Sequence, residues 1–184
     1  MPIGGCVIMA GGRGSRMGFV EKPLLSVCGR TMLERVLEAL EPVCRQVVVV
    51  YSAATPGAGR LCRSLALVRG FIYCVEGVGV YVQDLNSGLD ISGLPALVAP
   101  SDMPLLTPEA VEGFLGLAFE AGPDIVGLDA KGRGPTGMSL FRRRSGSWTS
   151  IEADWCWALD VDTWEDLRRA ESLCRGGCMA GGPL

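Results

Sequence analysis

The chain has 184 residues, 48% of them hydrophobic, with a formal net charge of −3 and no histidine. That length and composition fit one domain with a full core, and the charge excludes nucleic-acid recognition through a basic stripe. The missing histidine removes Ser-His-Asp and Cys-His catalysis and two-histidine metal sites.

The first apolar segment, "GCVIMA" at residues 5–10, reads as a strand and runs into the glycine-rich "GGRGSRMG". Next, "TMLERVLEALE" sets Met32, Leu33, Val36, Leu37 and Leu40 on one helical face, and Thr31 with Glu34 forms a capping box at its start. "QVVVVYS" is apolar without alternation, as expected of a strand buried on both faces. "TPGAGRLCRSLA" reads as a helix and "VRGFIYCVE" as a strand, and a "GVG" turn leads into the helix "YVQDLNSGLD". "PALVAPSD" is a fourth strand with Asp102 at its carboxyl edge, followed by the helix "TPEAVEGFLGLAFEAG" with Thr107 as N-cap. "DIVGL", "GMSLFR" and "CWALDVD" read as strands, and "TWEDLRRAESLCR" as a closing helix capped by Thr163, with Asp166 three residues on.

Alternating strands and helices predict an α/β fold: a single-domain, Rossmann-like three-layer α/β/α arrangement over residues 1–175 with a mostly parallel sheet. The glycine-rich end, 176–184, reads as a disordered tail. No apolar run approaches the ~18 residues of a membrane span, and "MPIGGCVIMAGG" is too short for a signal peptide, so a cytoplasmic location is expected. The cysteines at 6, 28, 44, 62, 74, 156, 174 and 178 contain no Cys-x-x-Cys. They read mostly as small buried hydrophobes rather than zinc ligands.

The glycine loop decides the chemistry. A P-loop needs a Gly-Lys-[Ser/Thr] triplet, and none occurs. The dinucleotide fingerprint begun at Gly12 and Gly14 needs glycine at 17, where Met17 stands, and "VVVVYS" lacks the acidic residue that should end the second strand. What remains is Ala-Gly-Gly-Arg-Gly-x-Arg-Met-Gly followed by Lys-Pro-Leu. Gly11, Gly12 and Gly14 let backbone amides approach phosphate closely, and Arg16 and Lys22 place positive charge beside it. A tight turn with surface arginines would explain the glycines but not this cationic spacing.

This motif resembles the signature of the nucleotidyltransferases that activate sugars and cofactors, including the molybdenum cofactor guanylyltransferases and sugar-1-phosphate uridylyltransferases. Four segments make the chain most similar to the archaeal-type adenosylcobinamide-phosphate guanylyltransferases of this MobA-like fold group: "IMAGGRGSRMGFVEKPL", "VEGVGVYVQDLN", "GPTGMSLFR" and "ALDVDTWEDLRRAESL". The resemblance implies a nucleotide-diphospho-sugar transferase fold and transfer of GMP from GTP to adenosylcobinamide phosphate in cobalamin biosynthesis. It implies Arg16 and Lys22 as catalytic residues. GTP would lie along Ala10, Gly11, Gly12, Arg13, Gly14, Ser15 and Gly18, with Glu76, Gly77, Val78, Gly79 and Asp84 around the guanine. Either Glu76 or Asp84 can supply the carboxylate that accepts from guanine N1–H and N2–H₂. Asp102 in "SDMPLL" and Asp162 in "DVDTWEDL" match Mg²⁺ ligands, with Asp160 the alternative to Asp162. Thr136 and Gly137 would line the acceptor side, and Arg142, Arg143 and Arg144 either contact the acceptor phosphate or are simply solvated. Small domains of this group often pair, so a homodimer is an expectation. The alternatives are a molybdenum cofactor or sugar-1-phosphate enzyme and, from another class, a GTP-binding module without transfer.

Overall fold

A computed structural model describes residues 3–153 and 156–177. One seven-stranded sheet organises the chain. Its first strands are β1 (Gly5–Met9), β4 (Val47–Tyr51), β5 (Ile72–Glu76) and β6 (Ala96–Pro100). The short β2 (Ser26–Val27) and β3 (Arg30–Thr31) form a separate antiparallel hairpin. The large sheet is completed by β7 (Ile125–Ala130), β8 (Gly134–Phe141) and β9 (Trp148–Ala153). The order is β5-β4-β1-β6-β8-β7-β9, and only β8 runs against its neighbours. The mostly parallel sheet is as the sequence implies.

The central strands are apolar at every position because both faces are covered. Cys6 and Ile8 of β1, Val47 and Val49 of β4, and Leu97 and Ala99 of β6 point into the larger core. Residues between them, Val7, Val48, Val50, Ala96 and Val98, form a second core with Leu89. Helices α1 (Met32–Leu40), α2 (Pro56–Val68), α4 (Pro108–Ala121) and α5 (Trp164–Gly176) supply the larger core, whereas α3 (Tyr81–Ser92) covers the opposite face alone. The capping box at α1 forms as expected: the Glu34 amide donates to Thr31 Oγ1 and the Thr31 amide to Glu34 Oε2. α5 has the same device in Thr163 and Asp166. No helix among the described residues is long and apolar enough to cross a membrane.

Three expectations need correction. "CWALDVD" is not a strand: residues 156–158 form a 3₁₀ turn, and 159–162 run outside any ladder. Its apolar alternation is real, since Trp157, Leu159 and Val161 are buried, but Val161 N–H donates to the carbonyl of Asp102 in a loop, not to a strand. The strand lies earlier, at β9, which pairs in parallel with β7. The cysteines are not merely small hydrophobes. Cys6 pairs with Cys44, Cys28 with Cys174 and Cys62 with Cys74, across Cα separations of 5.9, 6.4 and 6.0 Å that lie within disulfide reach. Finally, α5 continues through Gly176, one residue past the expected domain end, and 178–184 of the expected tail lie outside the described residues.

Candidate functional site

The order of strands locates the cleft. The chain passes from β1 outward to β4 and β5, then returns to lay β6 on the other side of β1. At such a reversal the loops leaving the two central strands diverge and open a crevice beyond their carboxyl ends. The glycine loop leaves β1 there, and Asp102 follows β6, whose end is tied to β1 by the Ser101 amide donating to the Met9 carbonyl.

The loop is held by contacts that glycine alone permits. Gly14 has φ +58°, and a Cβ there would lie 2.2 Å from the Val20 carbonyl oxygen. The Met17 and Phe19 amides both donate to the Gly14 carbonyl, closing the turn. Ser52, at the position where a dinucleotide-binding fold would carry an acid, donates its hydroxyl to the Gly11 carbonyl at 2.8 Å and ties the loop to β4. Gly12, Gly14, Ser15, Arg16, Lys22 and Asp162 then line a cleft of about 270 Å³.

At its floor stands Lys22. Its ammonium donates to Asp102 Oδ2 at 2.5 Å, Asp162 Oδ1 at 2.9 Å and the Val161 carbonyl at 3.0 Å. Arg16 pairs with the other oxygen of Asp162. Burial opposes the lysine charge, but the charge and hydrogen bond of Asp102, with those of Asp162, outweigh it and hold the ammonium above the ordinary lysine value of 10.5. Lys22 is therefore cationic at any physiological pH. Asp162 is positioned through its backbone: its amide and that of Thr163 donate to Asp166 Oδ2, and Arg133 donates to Asp166 Oδ1 at 2.8 Å. Arg133 carries no motif signal of its own, whereas Asp166 is legible in the sequence only as the partner of the Thr163 cap. Asp160 faces Arg133 at 3.8 Å, and its pKa is raised by burial, helped by the nearby Asp162 charge.

A family model describing the MobA-like NTP transferase domain matches residues 6–154. The chain belongs to this family. It is a nucleotidyltransferase, 26% identical over 92% of its length to an adenosylcobinamide-phosphate guanylyltransferase of Methanocaldococcus jannaschii, 96% of which is covered. A probable molybdenum cofactor guanylyltransferase of Mycobacterium avium is 30% identical over 74% of this chain and 68% of its own. The crystal structure of molybdopterin-guanine dinucleotide biosynthesis protein A from Archaeoglobus fulgidus superposes with a TM-score of 0.67 at 20% identity, covering 94% of this chain and 99% of its own. That likeness shows the shared fold.

In this MobA-like transferase the remaining sequence-predicted residues separate into two groups. Arg16, Lys22, Asp102 and Asp162 meet at one point, beside Gly12, Gly14 and Ser15. The segment Glu76–Gly79 begins at the last residue of β5 and is joined to the β4 end by the Gly77 amide donating to the Tyr51 carbonyl. Asp84 is 4% exposed, and its two oxygens accept from the Val78 and Gly79 amides at 2.7 and 3.1 Å. A Cβ on Gly77 would stand 2.4 Å from that carboxylate, so glycine is required for Asp84 to fold the loop over itself. Glu76 is exposed, with Tyr51 donating to it at 3.4 Å.

Of the two residues expected on the acceptor side, Thr136 is buried, and its hydroxyl donates to the Leu128 carbonyl while accepting from the Met138 amide. This arrangement sits at the irregular register between β7 and β8 and brings Gly137, at φ +83°, against Pro100. The arginines 142–144 do not reach the site. They follow Phe141, which pairs with Ala96 at the opposite end of β6. There Arg142 donates to the carbonyls of Ala118, Phe119 and Pro123, Arg143 pairs with Asp124 and Arg144 with Asp90.

Proposed function

We propose that this enzyme transfers GMP from GTP to adenosylcobinamide phosphate, giving adenosylcobinamide-GDP and pyrophosphate. The observation that carries the transfer chemistry is the convergence of Lys22, Asp102 and Asp162 at the foot of the glycine loop. The likeness to the Methanocaldococcus jannaschii protein, which spans nearly all of both chains, supports the acceptor.

An acceptor phosphate oxygen forms the new bond to the α-phosphorus, and the bond to the β-phosphate bridging oxygen breaks. That oxygen nucleophile is already ionised at neutral pH, so no general base is required of a chain without histidine. Backbone amides of Gly11, Gly12 and Gly14 hold the triphosphate, while Arg16 and Lys22 supply positive charge where it accumulates on the leaving pyrophosphate. Asp102 and Asp162 fit a Mg²⁺ ion. Both already direct an oxygen at one cationic atom, and two carboxylates plus substrate phosphates are the usual donor set for this ion. No cluster of three or more cysteine or acidic side chains among the described residues offers an alternative seat. Bound there, Mg²⁺ supplies charge neutralisation of the phosphates. In the guanine loop, Asp84 shapes the backbone, and exposed Glu76, which accepts from Tyr51 through one oxygen, keeps the other to accept from the guanine edge.

Pyrophosphate release with GTP and Mg²⁺ tests the reading. We expect release with adenosylcobinamide phosphate and none with molybdopterin or a sugar 1-phosphate. Release with molybdopterin alone would transfer the assignment to the molybdenum cofactor enzymes, and binding of GTP without release would reduce the protein to a nucleotide-binding module. Asp102→Asn is expected to move the Mg²⁺ titration of activity to concentrations about tenfold higher or more, since a charged ligand is lost. An unchanged titration removes Asp102 from the metal site.

A further inference from the structure

The ammonium of Lys22 has three protons, and all three are used inside the protein: on Asp102 Oδ2, on Asp162 Oδ1 and on the Val161 carbonyl. A lysine bound in this way has no proton left for a phosphate. The same side chain cannot fill this seat and grip a triphosphate at once. Its backbone is not free to compromise, because Lys22 opens a 3₁₀ turn whose next residue, Pro23, is buried. Only the four-carbon stem can swing.

Charge makes the same point. Asp102 and Asp162 carry two negative charges, and Lys22 and Arg16 cancel them within hydrogen-bond contact. The Lys22 side chain is only 14% exposed and Asp102 18%, so water screens this pair poorly. A divalent ion entering this neutral cluster alone would add two positive charges beside two fixed cations. A nucleotide changes the balance, because its phosphates accept the displaced ammonium and guanidinium.

We infer that Lys22 is the resident cation of the metal seat, neutralising Asp102 and Asp162 in the free enzyme, and that it must move onto the nucleotide phosphates before the metal can take its place. The exchange rests on the reading of Asp102 and Asp162 as metal ligands. It makes metal and nucleotide binding mutually dependent: each raises the affinity for the other by the same factor. Lys22 thus guards the free enzyme against metal binding ahead of nucleotide.

Mn²⁺ binding, read as loss of the free-ion electron paramagnetic resonance signal without nucleotide, tests this on the intact chain. Lys22→Met removes the resident cation and keeps the apolar stem. Arg13→Ala is the charge control, since Arg13 is exposed in the same loop and makes no ion pair among the described residues. We expect Lys22→Met to bind Mn²⁺ about tenfold more tightly than wild type or better, a full decade of affinity, and Arg13→Ala to stay within about threefold of wild type. Unchanged affinity in Lys22→Met, or an equal gain in Arg13→Ala, overturns the inference. A third variant separates it from the reading beneath it. Lys22→Met with Asp102→Asn should lose the gained affinity. If that double variant binds as tightly as Lys22→Met, the metal-ligand assignment itself falls, and the inference with it.

Discussion

Lys22→Ala is expected to lower turnover about 10²- to 10³-fold at saturating GTP and acceptor, the usual loss when one preorganised donor to developing charge is removed. Water cannot substitute well, because the ammonium stands at the floor of the cleft with a side chain only 14% exposed. Arg16→Ala should cost less: its side chain is 70% exposed, so solvent replaces much of what the guanidinium provides. The two variants also differ in metal demand. Lys22→Ala removes the competitor for Asp102 and Asp162, so its residual activity should saturate at lower Mg²⁺ than wild type even as turnover collapses. The raised pKa of Lys22 fixes the pH behaviour. A group held above its ordinary value stays charged below that value and loses its contribution only as pH rises through the shifted one, so kcat/KM, which reports the free enzyme, should show no fall attributable to Lys22 between pH 7 and the ordinary lysine range. Turnover of Lys22→Ala within threefold of wild type, measured as pyrophosphate release, would take the residue out of the mechanism.

The elements read from local pattern survive into the fold, and those set by distant partners do not. The capping boxes at Thr31 and Thr163, the unbroken valines of β4 and the acid after β6 each depend on residues a few positions apart. The Lys22–Asp102–Asp162 cluster was legible only as separate motifs. That the three side chains touch follows from strand order, which places the β1 and β6 ends side by side. "CWALDVD" misled because its apolar alternation matches a strand, while its partner is the loop carrying Asp102. Glu76 and Asp84 read alike in the sequence, since either carboxylate in a nucleotide loop could accept from the guanine edge, and what separates them is the hydrogen bonding of Asp84. Its two bonds back to Val78 and Gly79 appear only once the loop closes over the start of α3. Arg133 and Asp166, which hold the Asp162 backbone from behind, lie 33 residues apart and carry no shared pattern.

The cysteine pairs were illegible for the same reason and give the largest expected effect on stability. Cys28 and Cys174 are separated by 146 residues, Cys6 and Cys44 by 38, and Cys62 and Cys74 by 12. If the bond acts mainly by restricting the unfolded chain, its worth grows with the logarithm of the loop it closes. Opening Cys28–Cys174 by a double substitution to serine should then cost about 4–5 kcal/mol, and opening Cys62–Cys74 closer to 3 kcal/mol. The long pair also fastens the hairpin that follows Lys22 to α5, and Asp162 stands just ahead of that helix's N-cap. Glu171, accepting from the Cys28 amide at 2.7 Å, adds a polar tie between those segments near the bond. Losing the disulfide should therefore loosen the placement of Asp162 against Asp102, the two carboxylates of the metal seat, as well as the fold. The Cys28/Cys174 variant is expected to need more Mg²⁺ for half-maximal activity, whereas the Cys62/Cys74 variant, altered between α2 and β5, keeps the wild-type requirement. Urea unfolding and Mg²⁺ titration of both variants measure the two effects separately. Equal stability losses would refute the loop-length account, and a stability loss below about 1 kcal/mol for Cys28/Cys174 would mean that those thiols are not paired in solution.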